Sequence, residues 1–216
     1  MMTKDIVYYT LFGEEVYYQN LNLSIKSLRE IANFEGDILV FSDKKINNSA
    51  IINVVLDFAE FKDWFELRFR CNDYFNFRGY SNIIFLDTDV LVVKNLEPLF
   101  NSKVGLTCFE QADHYIDTGI INTPFFDFKM FWNNWYKHPI NAGQIIFDGV
   151  KFAKILDTWK QVHFDFRNKK FFTLNTKYKK TWSDQCSLNY LLRKDMIDFR
   201  VVKHGLRLPI VPTHNF

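Results

Sequence analysis

Cysteine is scarce in this chain of 216 residues. The three that occur, Cys71, Cys108 and Cys186, lie far apart and form no Cys-x-x-Cys pair. An odd number of widely spaced cysteines argues against a disulfide framework and against a structural zinc site. We therefore expect reduced thiols that are mostly buried.

An excess of one charge is also missing, since 27 Lys and Arg residues are matched by 25 Asp and Glu residues and the net charge is +2. The longest basic clusters, residues 168–170 and 177–180, are short. A surface with so little net charge provides no general attraction for nucleic acid. The sequence therefore predicts no nucleic-acid partner.

Long apolar runs and low-complexity stretches are absent as well. No segment approaches the roughly 20 apolar residues that a membrane-spanning helix needs. The N-terminus leads straight into a strand-like run. Because 48% of the residues are hydrophobic, the chain has enough apolar side chains for one substantial core. We predict a single domain over residues 1–216 in a soluble, cytoplasmic protein.

The most informative pattern that is present is an apolar run broken by two carboxylates. Residues 83–86 predict a strand buried on both faces, and residues 90–93 resume the apolar character. Asp87 and Asp89 therefore lie where a strand ends. Two carboxylates this close repel each other unless protons or a cation neutralise them, and oxygen ligands suit Mg²⁺ or Mn²⁺. The alternative is a polar turn, but the flanking apolar runs favour a metal site that holds a phosphorylated substrate.

The first half of the chain alternates strands and helices. Apolar residues recur at helical spacing over residues 21–32 and 64–75. The predicted strands are residues 6–11, 37–42, 54–58 and 83–86. The order β-α-β-β-α-β predicts an α/β fold with a largely parallel sheet, in which ligands bind beyond the carboxyl ends of the strands.

The second half is less regular. We predict strands over residues 104–109 and 144–147 and helices over residues 151–159 and 184–192. Pro209 and Pro212 confine the last strand to an edge or to an extended tail.

Four segments, in this order along the chain, resemble the glycogenin-like and lipopolysaccharide galactosyltransferase-like enzymes. They are residues 8–28 (YYTLFGEEVYYQNLNLSIKSL), 85–100 (FLDTDVLVVKNLEPLF), 140–148 (INAGQIIFD) and 182–192 (WSDQCSLNYLL). The resemblance covers nearly the whole chain and implies the GT-A fold, a Rossmann-like single domain whose mostly parallel central sheet carries helices on both faces. The chain ends two residues after His214, where the family usually continues with a Gly and a basic residue. Either the tail differs or the sequence is a fragment of a longer protein.

The activity that the resemblance implies is metal-dependent transfer of a hexose, pentose or deoxyhexose from a UDP-sugar to a glycan or glycoprotein acceptor, with retention of configuration. Asp87 and Asp89 would bind the metal, and Asp87 would also share its carboxylate with the ribose. The third metal ligand would be His214, with His204 as the alternative. An imidazole ligand favours Mn²⁺ over Mg²⁺. The other histidines have no such context and are expected at surface or core positions.

The same resemblance places the donor nucleotide against the opening strand and helix, through Thr10, Leu11 and Tyr17. Asn141 and Gly143 would line the sugar pocket, where a glycine lets the backbone approach the sugar closely.

Arg68 or Arg70 would supply a cation for the phosphates or the donor sugar. On a helical wheel the two lie on opposite sides of the apolar stripe at similar angles, so geometry barely separates them, and the alignment favours Arg68. The alternative is that both are solvated charges whose stems cover apolar surface. Asp184 would face the sugar and Gln185 the reacting face. A carboxylate in a first helical turn, with Ser183 as N-cap, is however also favoured by the helix dipole alone.

Two functions from other classes stay open. A haloacid dehalogenase-type phosphatase also has Asp-x-Asp after a strand, but normally near its N-terminus and with a later acidic pair that this chain lacks. A non-catalytic scaffold that binds nucleotide sugars would keep the fold without turnover. The sequence identifies neither the donor sugar nor the acceptor, which the aromatic-rich segment 109–138 would contact, and it leaves further domains or a homo-oligomer open.

Overall fold

The computed structural model describes residues 4–61, 64–100, 103–110, 140–167, 184–202 and 210–212. Within them, the helices are α1 (Glu15–Glu30), the single turn α2 (Leu67–Arg70), α3 (Phe152–Arg167) and α4 (Asp184–Arg193). The strands are β1 (Lys4–Leu11), β2 (Asp37–Ser42), β3 (Ile52–Val55), β4 (Tyr80–Leu86), β5 (Val90–Val92), β6 (Leu106–Glu110), β7 (Ile140–Asp148), β8 (Phe199–Val202) and β9 (Ile210–Pro212). Short 3-10 turns cover Phe58–Glu60, Trp64–Glu66, Cys71–Asp73 and Glu97–Leu99.

Seven of these strands form one sheet in the order β3-β2-β1-β4-β7-β6-β8. β1 is parallel to both β2 and β4, and β2 is parallel to β3. β6 is parallel to β8, whereas β7 runs antiparallel to both of its neighbours, β4 and β6. The predicted α/β fold with a mostly parallel sheet is therefore confirmed.

The core lies on both faces of this sheet. Residues 83–86 of β4 are all fully buried, as their unbroken apolar run predicts. Phe85 packs in a cluster that includes residues of α3 and α4, whereas Ile84 packs in a cluster that includes residues of α1. Because successive residues of a strand point to opposite faces, helices cover both faces of the sheet, as predicted.

Several boundaries differ from the prediction. β7 begins at Ile140 rather than at residue 144, β3 ends at Val55 rather than at residue 58, and β8 was not predicted. The largest difference is over residues 64–75, where the structure replaces one predicted helix with two 3-10 turns and the short α2. Three successive residues of α2, residues 67–69, are buried. An amphipathic helix would expose at least one of them, so tertiary contacts rather than an apolar stripe determine this segment.

The remaining two strands form a small separate sheet. β9 pairs antiparallel with β5, with Pro212 opposite Val90 and Ile210 opposite Val92. Both strands of such a sheet are edge strands, where proline is tolerated. This pairing agrees with the edge position predicted for the last strand. None of the helices in the described part of the chain combines the length and the apolar character that crossing a membrane requires.

Candidate active site

The candidate site lies at the carboxyl edge of β1 and β4. Because these two strands are parallel neighbours, the residues that end them meet at the same edge of the sheet. A cavity of about 190 Å³ opens there. Six residues that the sequence singles out line this cavity: Thr10, Leu11, Tyr17, Arg68, Asp87 and Asp89. Phe12, Trp64, Phe65 and Thr88 complete the lining.

Arg68 joins two carboxylates that are far apart in the sequence. Its Nη2 donates to Asp87 Oδ1 at 2.5 Å, and its Nη1 donates to Asp184 Oδ2. Arg68 is 5% exposed and Asp184 is 4% exposed. The guanidinium also lies over the rings of Phe65 and Phe85, with its carbon 4.9 and 5.0 Å from the ring centroids. A buried cation with two carboxylate partners is thus fixed between β4 and α4.

Arg70 lies elsewhere. Its guanidinium pairs with Glu66 and Asp73, both at 3.3 Å, and lies over the ring of Phe61. Arg70 is not among the residues that line the cavity. The structure therefore separates the two arginines that the helical wheel left nearly equivalent.

The charges of this cluster perturb each other. Burial raises the pKa of Asp87 to about 6; the Arg68 cation opposes this shift, and the neighbouring carboxylates of Asp89 and Asp184 add to it. Burial alone would lower the pKa of Arg68, but the carboxylates of Asp184 and Asp87 outweigh burial and raise it above its usual range. The guanidinium is therefore always charged, and Asp87 is mostly ionised at neutral pH.

The segment of β7 that contains Asn141 and Gly143 lies directly beside Asp87. The backbone N–H of Asp87 donates to Gly143 O at 2.8 Å, and Gly143 N donates to Asn141 Oδ1 at 2.7 Å. A Cβ atom on Gly143 would lie 2.9 Å from Asp87 Cγ, which is closer than real Cβ contacts allow. A Cβ atom at this position would therefore displace the Asp87 carboxylate.

Helix α4 brings Asp184 and Gln185 to the same region. Gln185 Oε1 accepts from the backbone N–H of Ala142 at 3.5 Å, so α4 is linked to the same stretch of β7. Asn189 adds a firmer link, because its Nδ2 donates to Ile140 O at 3.1 Å. The structure therefore brings Asn141, Gly143, Asp184 and Gln185 close to the end of β4.

A buried polar cluster behind Asp184 was missed by the sequence analysis. Ser187 Oγ donates to Asp184 O at 2.7 Å, and Trp159 Nε1 donates to Ser187 Oγ at 2.8 Å. His163 Nδ1 lies 3.3 Å from the same hydroxyl. Burial lowers the pKa of His163 to about 4, with a smaller opposing effect of Asp184, so this imidazole is neutral. The only sequence signal was the spacing of Trp159 and His163, four residues apart on one face of α3.

Two polar atoms beside the cavity are buried without a hydrogen-bond partner in the described part of the chain. They are Thr10 Oγ1 and Arg68 Nε. Buried polar groups are nearly always paired, so each unpaired one calls for an explanation. Both residues line the cavity, but the two atoms themselves are covered, so a bound ligand would reach them only after the side chains moved.

The donor set for a metal is only partly described. Asp87 and Asp89 both line the cavity and offer the oxygen ligands that Mg²⁺ and Mn²⁺ prefer. His204 and His214 lie outside the described residues. Within the described residues, no group of three or more His, Cys, Asp or Glu side chains could hold a metal. The two carboxylates thus fit part of such a site.

Comparison with solved structures agrees with the fold inferred above, because the chain matches GT-A glycosyltransferases along most of its length. One match is the structure of galactosyltransferase LgtC in complex with donor and acceptor sugar analogs, at a TM-score of 0.56 and 15% identity over 92% of this chain and 73% of that chain. Another is the bifunctional glycosyltransferase WbbM in its apo form, at 0.60 and 14% over 94% and 39%. A third is the apo form of glycosyltransferase GlyE from Streptococcus pneumoniae TIGR4, at 0.56 and 18% over 92% and 45%.

No protein-family model matches the sequence, and a search of curated proteins finds no match. The GT-A fold of the chain is shown by its likeness to the solved structures. At these low identities the likeness concerns the fold alone. This fold is not that of the haloacid dehalogenase-type phosphatases, so the phosphatase alternative loses its structural basis.

Proposed function

We propose that the chain is a metal-dependent glycosyltransferase that moves a hexose, pentose or deoxyhexose from a UDP-sugar to a glycan or glycoprotein acceptor, with retention of configuration. The observation that carries the proposal is the Arg68 bridge between Asp87 and Asp184 beside a cavity at the carboxyl edge of the sheet. By the family resemblance, these positions would bind the metal, the phosphates and the sugar. The LgtC structure, which contains donor and acceptor sugar analogs, has the same fold.

The donor nucleotide would bind at the end of β1. Thr10 and Leu11 line the cavity there, as does Tyr17 of α1, a residue that is 44% exposed. A rotation of the Thr10 side chain would let its unpaired Oγ1 bond to an oxygen atom of the bound donor. An exposed aromatic ring beside a cavity is suited to stacking on a base or a sugar.

Asp87 and Asp89 would hold Mn²⁺ or Mg²⁺ together with His214, or with His204 as the alternative. When bound, the metal would act as a Lewis acid that stabilises the charge on the departing diphosphate. One oxygen of Asp87 already accepts from Arg68, so this residue would link the cation site to the guanidinium. Asp89 is the firmer ligand by family resemblance.

Asp184 and Gln185 would face the donor sugar. Arg68 holds the Asp184 carboxylate in place through an ion pair, and an oriented carboxylate can accept from sugar hydroxyls or stabilise a positively charged transition state. Asn141 and Gly143 would line the same pocket. Retention of configuration, by front-face transfer assisted by the leaving phosphate, is supported by the family resemblance and by no distance in the site. The cytoplasmic location, further domains and a homo-oligomer stay predictions from the sequence.

Calorimetric titration of UDP, with and without Mn²⁺, tests the proposal. We expect the parent to bind UDP in a metal-dependent manner and Asp89→Ala to lose the dependence on metal, because one of the oxygen ligands is removed. Asp157→Ala, which removes an exposed carboxylate of α3, is the matched control and should bind as the parent does. UDP binding that depends neither on Mn²⁺ nor on Asp89 would refute the proposal.

Hydrolysis of the donor then separates an enzyme from a scaffold. A transferase slowly hydrolyses UDP-galactose or UDP-glucose when no acceptor is present, so UDP release in Mn²⁺ should exceed that of Asp89→Ala. A non-catalytic scaffold would bind UDP in the presence of the metal but would not hydrolyse the UDP-sugar, so no UDP would be produced.

A further inference from the structure

Tyr8 of β1 is connected to the backbone of Arg68. Its ring is fully buried, and its hydroxyl donates to the backbone carbonyl oxygen of Arg68 at 2.9 Å. The thiol of Cys71 lies 3.7 Å from the same oxygen and makes at best a weak second bond. The Tyr8 hydroxyl is therefore the stronger of the two side-chain donors to this carbonyl among the described residues.

Tyr8 also supports the guanidinium end of Arg68. Tyr8 and Phe85 are opposite each other in the pairing of β1 with β4, and their ring centroids are 5.1 Å apart. The Phe85 ring in turn lies 5.0 Å from the guanidinium carbon of Arg68. One side chain of β1 thus contacts the backbone of Arg68 directly and its cation through Phe85.

This support matters because α2 cannot hold Arg68 in place by itself. α2 has four residues and is flanked by 3-10 turns, and a single helical turn is not stable alone. The guanidinium is a rigid fork whose two partners, Asp87 and Asp184, belong to different elements. A small displacement of the α2 backbone would move the fork away from one of them.

We propose that Tyr8 is a positioning residue, whose hydroxyl fixes the α2 backbone so that Arg68 joins Asp87 to Asp184. Tyr8 is not among the residues that line the cavity, so it acts through Arg68. This inference rests on the proposed glycosyltransferase function for its effect on turnover, but the placement of Arg68 can be measured without it.

The neighbouring residue provides a matched control. Tyr9 is also fully buried, and its hydroxyl lies 2.9 Å from Ser24 Oγ, on the opposite face of β1. Tyr8→Phe and Tyr9→Phe each remove one buried hydroxyl and keep the ring. The two variants should therefore lose similar thermal stability, and they differ in what the lost hydrogen bond holds.

The first test measures turnover and binding in the same variants. With Mn²⁺, we expect Tyr8→Phe to lower kcat for hydrolysis of UDP-galactose or UDP-glucose by between about 10- and 100-fold, because Arg68 no longer orients Asp184. Its affinity for UDP should fall by less than kcat does, because Thr10 and Leu11 at the end of β1, which would contact the nucleotide, are unchanged. Tyr9→Phe should keep both values. Equal losses of kcat in the two variants would show a merely structural role and overturn the inference.

The second test does not require activity, so it separates this inference from the proposed function. If the parent hydrolyses neither donor, that result counts against the proposed enzymatic function. A double-mutant cycle still measures whether Tyr8 holds Arg68 in the bridge. Replacing Asp184→Asn removes one partner of the bridge. Asp184→Asn lowers Tm in the parent, and we expect the same substitution to lower Tm by less in Tyr8→Phe, because the bridge is already weakened there. The two decreases should differ by about 2 °C or more. The same cycle with Tyr9→Phe should be additive, and additivity in both cycles would overturn the positioning role.

Discussion

Replacement of Arg68 by methionine is expected to destabilise the protein strongly at neutral pH. Arg68→Met keeps most of the buried volume but leaves Asp87 and Asp184 without their shared cation. Breaking a buried ion pair by removing one partner costs about 3–5 kcal/mol, because an uncompensated charge stays buried. For a chain of this length, that loss corresponds to a decrease in Tm of about 10 °C.

The pH dependence of the loss identifies its cause. Burial already raises the pKa of Asp87 in the folded parent to about 6, and removing Arg68 removes the main effect that opposes this shift. A carboxyl whose pKa is higher in the folded state than in the unfolded state contributes stability at low pH and loses it as the pH rises through the folded pKa. Lowering the pH from 7 to 5 should therefore raise the free energy of unfolding of Arg68→Met by about 2 kcal/mol.

Thermal unfolding in buffers of pH 5 to 7 with EDTA measures this effect without metal. Arg78→Met is the matched control, because Arg78 is exposed at the other end of β4 and its loss should change stability by no more than about 0.5 kcal/mol. The reasoning fails if Arg68→Met unfolds like the control, or if its loss of stability is the same at pH 5 and pH 7.

Two further variants test single features of the site. Gly143→Ala places a Cβ atom 2.9 Å from Asp87 Cγ, so Mn²⁺-dependent UDP binding should weaken about ten-fold or more by calorimetry. Gly149→Ala, which clashes with the Tyr80 backbone at the other end of β7, should destabilise the fold without this selective effect. In the folded parent His163 has a pKa of about 4, so between pH 6.5 and 4 this histidine is protonated in the unfolded chain but not in the folded one. This difference lowers the stability of the parent by up to about 3 kcal/mol as the pH falls. His163→Gln should remove this part of the decrease in stability. Unfolding of parent and variant between pH 4 and 7 checks this, and equal slopes would contradict it.

The central strand and its two carboxylates could be predicted because their signal is local. An unbroken apolar run indicates a strand buried on both faces, and the change to Asp87 marks where it ends. The position of Gly143 beside Asp87 could not be predicted from periodicity, because it depends on the pairing of β4 with β7. That pairing joins segments about sixty residues apart, and only the family resemblance connected them.

The helical wheel could not distinguish Arg68 from Arg70, for a physical reason. The helical wheel assumed one regular helix over residues 64–75, whereas the structure has a single turn between two 3-10 turns, so the angles on the wheel do not apply. Tyr8 and Trp159 were missed for a related reason. Each acts through one polar atom on a large apolar ring, and its partner lies far away in the sequence.

The buried charges of the bridge raise the question of whether they serve stability or function. Buried ion pairs are weak evidence for stability, since well-packed apolar residues of similar volume are often neutral or stabilising by about 1–4 kcal/mol in their place. The triple variant Arg68→Met, Asp87→Leu, Asp184→Leu should therefore recover most of the stability that Arg68→Met loses at pH 7. It should also lose Mn²⁺-dependent UDP binding completely, because it lacks the carboxylate and the cation that line the cavity. Thermal unfolding and calorimetry on the same sample measure both properties. A triple variant no more stable than Arg68→Met would mean that the charges hold the fold together, and their position at the carboxyl edge of the sheet would then carry less weight for function.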